Sequence, residues 1–223
     1  MRFVSFCGAH RTGKSTLQKE LCASYNALPA YMPTYTVQGD RVKSEMSLKE
    51  RVSIQYEILA AYEGVLKSAR TEAQDTGKEV VISDRTPIDT TAYMMADVTR
   101  SADYDLDDRI MLYIEQAQRL TIQYFHTVIY LPPGMIPLVE DLTSAQCSEA
   151  YIEHLSALCS HYLQRLAKRK LLYPPYYPRM PFHLYAMPTR FGDDFNLRAE
   201  FCKNAFQLGD FTPVREVAVD VAL

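Results

Sequence analysis

The sequence has 223 residues, of which 48% are hydrophobic and 23% are charged. This length and composition are typical of one globular domain, and they exclude a disordered or fibrous chain. The 24 Lys and Arg residues against 27 Asp and Glu residues leave a formal net charge of −3. The surface as a whole therefore lacks the basic excess that attracts nucleic acid, so a nucleic acid partner is not favoured.

The cysteines and the N-terminal residues indicate a compartment. The chain has five cysteines, an odd number, and no CxxC pair, which suits a reducing environment. The apolar stretch at 1–7 is too short for a signal peptide or a membrane span. We expect a cytoplasmic protein without a membrane partner.

The first part of the chain predicts a strand, a helix and a second strand. The nearly continuous apolar run at 3–7 is typical of a strand that is buried on both faces. Apolar residues then recur at helical spacing over 14–27, and Pro29 stops this pattern. Tyr, Thr and Val residues over 31–39 predict the second strand.

The middle of the chain continues this alternation. Helical periodicity predicts helices over 48–71 and 105–125. Short apolar runs at 80–82 and 128–131 predict two more strands. Because parallel strands need crossover connections that are usually helical, the pattern predicts an α/β fold with a doubly wound parallel sheet.

The last third of the chain extends the pattern less regularly. The prolines within 173–178 exclude regular structure there. The elements predicted around this segment are a helix over 150–167, a strand over 182–186, a helix over 193–205 and an edge strand over 217–221.

One motif carries a specific chemistry. Residues 8–15 match the pattern G-x-x-x-x-G-K-S in full, between a predicted strand and a predicted helix. In such a P-loop, backbone N–H groups bind phosphate oxygens, the lysine meets the β- and γ-phosphates, and the hydroxyl ligates Mg²⁺. Lys14 and Ser15 would have these two roles, so ATP and Mg²⁺ are the expected cofactors. The expected ATP contacts are Gly8, Ala9, His10, Arg11, Thr12, Gly13, Lys14, Ser15 and Thr16.

The strand at 80–82 runs into Asp84 and Arg85, and this pair indicates what happens to the phosphate. ATPases and motors typically have a second carboxylate at this point, which orients a water molecule. An arginine instead offers a planar set of donors that can hold an acceptor and neutralise charge in the transition state. The pair therefore favours a kinase.

Over residues 1–131 the chain resembles the P-loop nucleoside and nucleotide kinases, in particular the nicotinamide riboside kinase-like and thymidylate kinase-like proteins of bacteria and bacteriophages. The resemblance lies in residues 8–16 and in the segment Asp84-Arg85-Thr86-Pro87-Ile88-Asp89-Thr90. It implies a three-layer P-loop fold with a helical lid-like insertion. We therefore expect a single domain over 1–223, with a lid or substrate region at about 132–180.

The same resemblance implies roles for individual residues. Asp84 would act near Mg²⁺ or the acceptor, Arg85 would grip the substrate, and Asp89 and Tyr93 would face it. Arg11 resembles a loop arginine of one class of thymidylate kinases. The catalytic residues implied are Lys14, Arg11, Asp84 and Arg85, and the metal ligands implied are Ser15 and Asp84.

The substrate side departs from these kinases. They usually have a carboxylate near the end of the second strand as general base, whereas this chain has Thr34 and Thr36 there and no acid before Asp40. A phosphate acceptor needs no strong base, so we expect a nucleoside monophosphate, with Asp40 among its contacts. Residues 120–164 contain no Lys or Arg, so a lid arginine would come later in the chain.

The later basic residues are candidates for binding the donor. Arg190 lies in a loop that resembles the nucleobase-contacting loop of these kinases, and we assign it to the ATP site. The candidates for a lid cation are Arg165, Lys168, Arg169, Lys170, Arg179, Arg190 and Arg198.

Three functions stay open at this point. The leading one is ATP- and Mg²⁺-dependent transfer of the γ-phosphate to a nucleotide or nucleoside. The second is a kinase that acts on a hydroxymethylated base in DNA, for which 165–170 would offer a basic path. The third is a P-loop NTPase switch, which the arginine after Asp84 does not favour. A homodimer is also an open alternative.

Overall fold

A computed structural model describes residues 1–41, 45–98, 104–134, 148–172, 182–191 and 194–207. Within these residues the chain forms five β-strands and seven α-helices. The strands are β1 (Arg2–Cys7), β2 (Leu28–Ala30), β3 (Val80–Ser83), β4 (Thr127–Tyr130) and β5 (His183–Ala186). The helices are α1 (Lys14–Tyr25), α2 (Thr34–Gln38), α3 (Leu48–Asp75), α4 (Pro87–Asp97), α5 (Tyr104–Tyr124), α6 (Glu149–Leu172) and α7 (Phe195–Gln207).

The five strands form one parallel sheet in the order β2-β3-β1-β4-β5. The central strand β1 is buried at every residue after Arg2, as its apolar run predicted. It pairs with β3 through Ser5 and Ser83, and with β4 through Val4 and Thr127. Because these strands run in the same direction, the segments that follow β1 and β3 lie side by side at one edge of the sheet.

Helices cover both faces of the sheet. Phe3 faces the larger core, to which α3, α4, α5 and α6 contribute, whereas Val4 faces the opposite side. That side is covered by α1 and α7, where Leu17 and Cys202 are fully buried. The predicted three-layer α/β P-loop fold is therefore confirmed.

The longest helix, α3, begins at a capping box. The N–H of Glu50 donates to Ser47 Oγ at 3.3 Å, and the N–H of Ser47 donates to Glu50 Oε2 at 2.8 Å. These bonds satisfy N–H groups that have no partner within the helix. The later turns bury Leu59, Tyr62 and Leu66 in the core, while the first turns line the cavity described below.

The strand predicted over 31–39 is wrong. The second strand is Leu28–Ala30, and Thr34–Gln38 form the short helix α2. Pro29 is accommodated because β2 lies at the edge of the sheet. Pro33 directly precedes α2, where its missing N–H breaks no intrahelical hydrogen bond. The Thr and Val residues have only a context-dependent preference for strands, and the position of this segment overrides it.

Helix α4 was not predicted, although the sequence contains its start signals. Pro87 is the first helical residue, and Thr86 forms a capping box with Asp89. The N–H of Ile88 donates to Thr86 Oγ1 at 3.1 Å, and the N–H of Thr86 donates to Asp89 Oδ2 at 2.8 Å. The helix is buried on most sides, so no amphipathic stripe marks it in the sequence.

The other described elements agree with the predictions except at their ends, where α6 continues to Leu172. The segments predicted at 173–178 and 217–221 lie outside the described residues, as does 135–147 in the expected lid region. The division into one domain with a lid stays a prediction. Among the described helices, none combines the length and the apolar character that crossing a bilayer requires.

Candidate active site

The loop between β1 and α1 is shaped by two glycines. A Cβ on Gly8 would overlap the backbone carbonyl oxygen of Leu131, so a side chain cannot be accommodated there. Gly13 has φ 78° and ψ 14°, in the left-handed region where glycine is favoured. Arg11 also has a positive φ of 59°, which is uncommon for a residue with a side chain. The backbone of the loop is thus held in a conformation typical of anion-binding loops.

Lys14 lies folded into this loop and is only 5% exposed. Its ammonium donates to the carbonyl oxygens of Gly8, at 2.8 Å, and of Ala9, and to Thr12 Oγ1 at 3.1 Å. Burial lowers the pKa of Lys14, and the Arg85 guanidinium lowers it further. The loop therefore holds a buried cation that phosphate oxygens can neutralise.

Ser15 and Asp84 meet at the edge where β1 and β3 end. Ser15 Oγ donates to Asp84 Oδ2 at 2.8 Å. The second carboxylate oxygen, Asp84 Oδ1, is buried and accepts no hydrogen bond from the described residues. A hydroxyl and a carboxylate with a free oxygen are the hard donors that Mg²⁺ prefers, so these two residues fit the ion.

Tyr93 clamps the Arg85 side chain through a hydrogen bond and a cation–π contact. Arg85 Nη1 donates to the Tyr93 hydroxyl at 2.8 Å, and its guanidinium carbon lies 5.2 Å from the centroid of the Tyr93 ring. The His10 ring packs on Tyr93 from the loop side, with centroids 4.9 Å apart. Burial raises the pKa of Tyr93, so its hydroxyl stays neutral at physiological pH.

The backbone carbonyl of Arg85 is also fixed. It accepts hydrogen bonds from Ser83 Oγ, at 2.9 Å, and from the hydroxyl of Tyr62, which is fully buried on α3. In the sequence, Tyr62 is marked only by its place in the helical period of 48–71. Its hydroxyl gives it a second role, which is to hold the turn after β3 in place.

Asp89, which we expected to face the substrate, is not among the residues that line the cavity. It is fully buried, and Oδ1 accepts a hydrogen bond from the N–H of Gly8 at 3.1 Å. Oδ2 accepts from the N–H and the hydroxyl of Thr86, at 2.8 and 2.9 Å. Because both oxygens are engaged, Asp89 joins the start of α4 to the start of the P-loop.

A cavity of about 640 Å³ opens beside the P-loop, a size within the usual range for small-molecule sites. Its wall on the P-loop side includes His10, Ser15, Asp84, Arg85 and Tyr93. Its opposite wall, from β2 to α3, includes Tyr31, Tyr35, Arg51 and Gln55. Arg51 and Gln55 are half-buried and lie one turn apart on α3, beside its buried stripe. The sequence alone did not single them out, because polar residues beside such a stripe are usual.

Several predicted site residues lie elsewhere. Asp40 is exposed and lines, with Arg41, a second cavity that adjoins the first at Met46 and Ile54, so the structure does not bring it to the P-loop. Arg190 is exposed after β5, with its guanidinium carbon 5.6 Å from the ring of Phe191. Arg198 is not a lid residue. It is 4% exposed, and its Nη2 donates to the carbonyl oxygen of Thr12 at 2.8 Å.

A buried thiol pair lies directly below the loop. The sulfur atoms of Cys7 and Cys159 and a carboxylate oxygen of Asp89 lie within 4.8 Å of one another. Burial raises the pKa of Cys7 well above its ordinary value, and a hydrogen bond with Cys159 raises it further. With both Asp89 oxygens engaged and the Cys7 thiol kept neutral by its raised pKa, this buried cluster is part of the packed core.

Comparison with known proteins identifies the family to which the chain belongs. A family model described as an AAA domain matches residues 3–171, which include the P-loop and both residues of the Asp84-Arg85 pair. The chain belongs to this AAA-domain family. No curated protein sequence matches the chain significantly.

Solved structures share the fold at low sequence identity. A deoxyadenosine kinase from M. mycoides with bound dCTP is 17% identical, with a TM-score of 0.59 over 92% of this chain and 98% of that chain. A thymidylate kinase from Candida albicans is 9% identical, with a TM-score of 0.53 over 96% and 95%. NadR protein in complex with NR is 14% identical, with a TM-score of 0.60 over 96% of this chain and 53% of NadR, so the chain spans about half of that protein.

Proposed function

We propose that the protein is a kinase that transfers the γ-phosphate of ATP to a nucleotide or nucleoside, with a nucleoside monophosphate as the leading acceptor. The observation that carries this proposal is the position of Arg85. It follows Asp84, lines the cavity beside the P-loop and is clamped by Tyr93. A guanidinium in that position suits the phosphate of an acceptor, and no second carboxylate follows Asp84 to orient water.

The donor side of the proposed site consists of the P-loop. Lys14 and the backbone N–H groups of the loop would bind the β- and γ-phosphates, and the partly exposed Arg11 would stabilise the transferred group. Ser15 and Asp84 would hold Mg²⁺. When bound, the ion neutralises phosphate charge and orients the oxygens of the donor.

The acceptor side of the proposed site consists of Arg85, just after the end of β3, and of the cavity wall from β2 to α3 that faces the P-loop. Arg85 and Arg51 give this cavity two cations, and Tyr31 and Tyr35 offer aromatic faces on which a base can stack. The carboxylates among its lining residues are Asp84 and Asp97, and none comes from the end of β2. The acceptor side therefore suits a phosphate, which needs no strong base.

The names of the similar structures agree with this substrate class. They are a deoxyadenosine kinase with bound dCTP, a NadR protein in complex with NR and a thymidylate kinase. These ligands and activities belong to those proteins. They motivate the set of acceptors that an assay should contain, namely nucleosides, nicotinamide riboside and nucleoside monophosphates.

An ADP-release assay with ATP and Mg²⁺ tests the proposal. The acceptors would be the compounds above, together with DNA oligonucleotides that contain a hydroxymethylpyrimidine, and one reaction would contain no acceptor. We expect ADP release to rise strongly with one or a few nucleoside monophosphates. A rate of ADP release that is the same with every acceptor as with none would contradict the proposal and indicate an NTPase. Stimulation by the modified DNA alone would indicate the DNA-base kinase instead.

A further inference from the structure

The buried arginine of α7 contacts the P-loop from behind. Arg198 Nη2 donates to the carbonyl oxygen of Thr12 at 2.8 Å, and Nη1 lies 3.7 Å from the point that a Cβ on Gly13 would occupy. Arg198 and Thr12 are separated by 186 positions in the chain, so only the fold brings them together. Arg198 is 4% exposed, so this contact takes place away from water.

The guanidinium is held rigidly. Its Nε donates to the sulfur of Met187 at 3.3 Å, just beyond β5. Helix α7 is fixed at its start, because Asp194 Oδ1 accepts hydrogen bonds from the N–H groups of Asn196, at 2.9 Å, and Leu197, at 3.1 Å. One turn after Arg198, Cys202 is fully buried among the residues that pack on α1. The arginine is therefore presented to the loop from a well-anchored helix.

The geometry of the peptide bond gives this contact a consequence for phosphate binding. The carbonyl and the N–H of one trans peptide point in opposite directions. Fixing the Thr12 carbonyl toward α7 therefore turns the N–H of Gly13 toward the other side of the loop. Thr12 is fully buried, so its carbonyl needs a donor from the protein, and a charged donor makes a stronger bond than a neutral one.

We propose that Arg198 is a positioning residue for the P-loop: it fixes the peptide between Thr12 and Gly13 so that the loop is ready to bind the phosphate chain of the donor. Its positive charge, held behind the loop, adds to the attraction for phosphate. Arg198 is not among the residues that line the cavity, so it would act through the loop and not on the acceptor or the reacting atoms. This inference rests on the proposed donor site.

Binding measurements separate this role from a general structural one. Isothermal titration in Mg²⁺ buffer would compare ATP and inorganic tripolyphosphate for the wild type, Arg198→Gln, Arg198→Lys and the control Lys203→Gln. Lys203 is another cation of α7, and it forms a surface ion pair of 3.7 Å with Glu20 on α1. Melting temperatures without ligand would show that each variant is folded, and steady-state kinetics would give kcat and both KM values.

We expect Arg198→Gln to lower the affinities for ATP and for tripolyphosphate in parallel, by roughly tenfold or more, because a charged hydrogen bond is lost behind the loop. The KM for ATP should rise while the KM for the acceptor stays constant. Arg198→Lys should show a smaller loss, since an ammonium can reach the Thr12 carbonyl but cannot also keep the Met187 contact. Lys203→Gln should behave as the wild type.

Three results would overturn the inference. The first is unchanged ATP affinity in folded Arg198→Gln or, should that variant not fold, in Arg198→Lys. The second is a lower affinity for ATP with an unchanged affinity for tripolyphosphate, which would assign Arg198 to the nucleoside part of the donor. The third is a wild type that binds neither ligand, which would remove the proposed function itself, whereas the first two results would leave it intact.

Discussion

The donor and acceptor sides of the cavity differ in how they are fixed. In the P-loop, Thr12 and Lys14 are nearly fully buried. The loop is held from two sides, because Gly8 donates a hydrogen bond to Asp89 and Thr12 accepts one from Arg198. Across the cavity, Tyr35 is 87% exposed and α2 contains no buried residue. The donor side is thus organised before any ligand binds, while the part of the acceptor side around α2 has fewer contacts that define it. Changes on the two sides should therefore affect different steps.

The largest effect should come from Lys14→Ala on the donor side. Removing the buried ammonium takes away the cation that meets the β- and γ-phosphates, so phosphoryl transfer should fall by roughly a thousandfold. The measurement is kcat/KM for ATP, with the exposed Lys19→Ala on the same helix as the control. Activity within a few fold of the wild type would remove Lys14 from the proposed mechanism.

On the acceptor side, Arg85→Ala should reduce acceptor turnover by roughly a hundredfold and leave ATP affinity close to normal. Tyr93→Phe removes only the hydroxyl that accepts the 2.8 Å hydrogen bond from Arg85, so a smaller loss in the same direction is expected. Acceptor KM, kcat and ATP affinity distinguish the steps. A loss of ATP affinity in Arg85→Ala would assign this arginine to the donor side.

A pair of glycine substitutions tests how tightly the loop is packed. Gly8→Ala would force a Cβ against the carbonyl of Leu131, which should cost about 1–3 kcal/mol of folding free energy and displace the loop. Gly64→Ala is the matched control, because its Cβ would enter open space in the middle of α3. That change should stabilise the helix by about 1 kcal/mol. Urea unfolding of both variants measures the difference, and equal midpoints would contradict it.

Asp89→Asn tests the link between the loop and α4. The amide keeps the shape of the side chain, but its NH₂ group cannot accept the hydrogen bonds that one carboxylate oxygen now accepts. We expect a loss of about 1–2 kcal/mol in unfolding free energy and weaker ATP binding. Unchanged stability and unchanged ATP affinity together would show that the contact with Gly8 does not matter.

The smallest expected effect concerns pH and lies away from both sides of the cavity. His126 Nδ1 accepts a hydrogen bond from the N–H of Phe3 at 3.0 Å, so the folded state needs the neutral ring. Burial lowers the pKa of His126, and the N-terminal amine and nearby arginines lower it further. The unfolded chain thus binds the proton more readily, and stability should fall as the pH drops below about 6.5.

Melting temperatures between neutral and mildly acidic pH measure this effect. His126→Asn keeps an acceptor oxygen and has no group that titrates in this range, so its pH dependence should be flatter than that of the wild type. ATP affinity, corrected for unfolding, should not depend on this residue. An equally steep pH dependence in both proteins would mean that another group causes it.

Much of the fold follows from local sequence. The apolar run of β1 and the helical period of α3 are signals contained within a few residues of one another, and both elements occur where they were predicted. The P-loop is likewise local, since its two glycines, Lys14 and Ser15 occupy a single strand–loop–helix unit. The errors arose where local signals are weak or conflicting. Helix α2 was predicted as a strand, and α4, which is buried on most sides, was not predicted.

The roles of single residues depended on packing across the chain. From the sequence we expected Asp89 near the acceptor. The sheet instead brings the start of α4 against Gly8 and buries the carboxylate there. Arg198 reads as one of several late cations, yet α7 packs on α1 and presents it to Thr12. Spacing along the chain predicts a periodic face or a loop motif, because both are local. Spacing cannot predict which distant side chain will donate or accept a given hydrogen bond, because that depends on how the helices pack against the sheet.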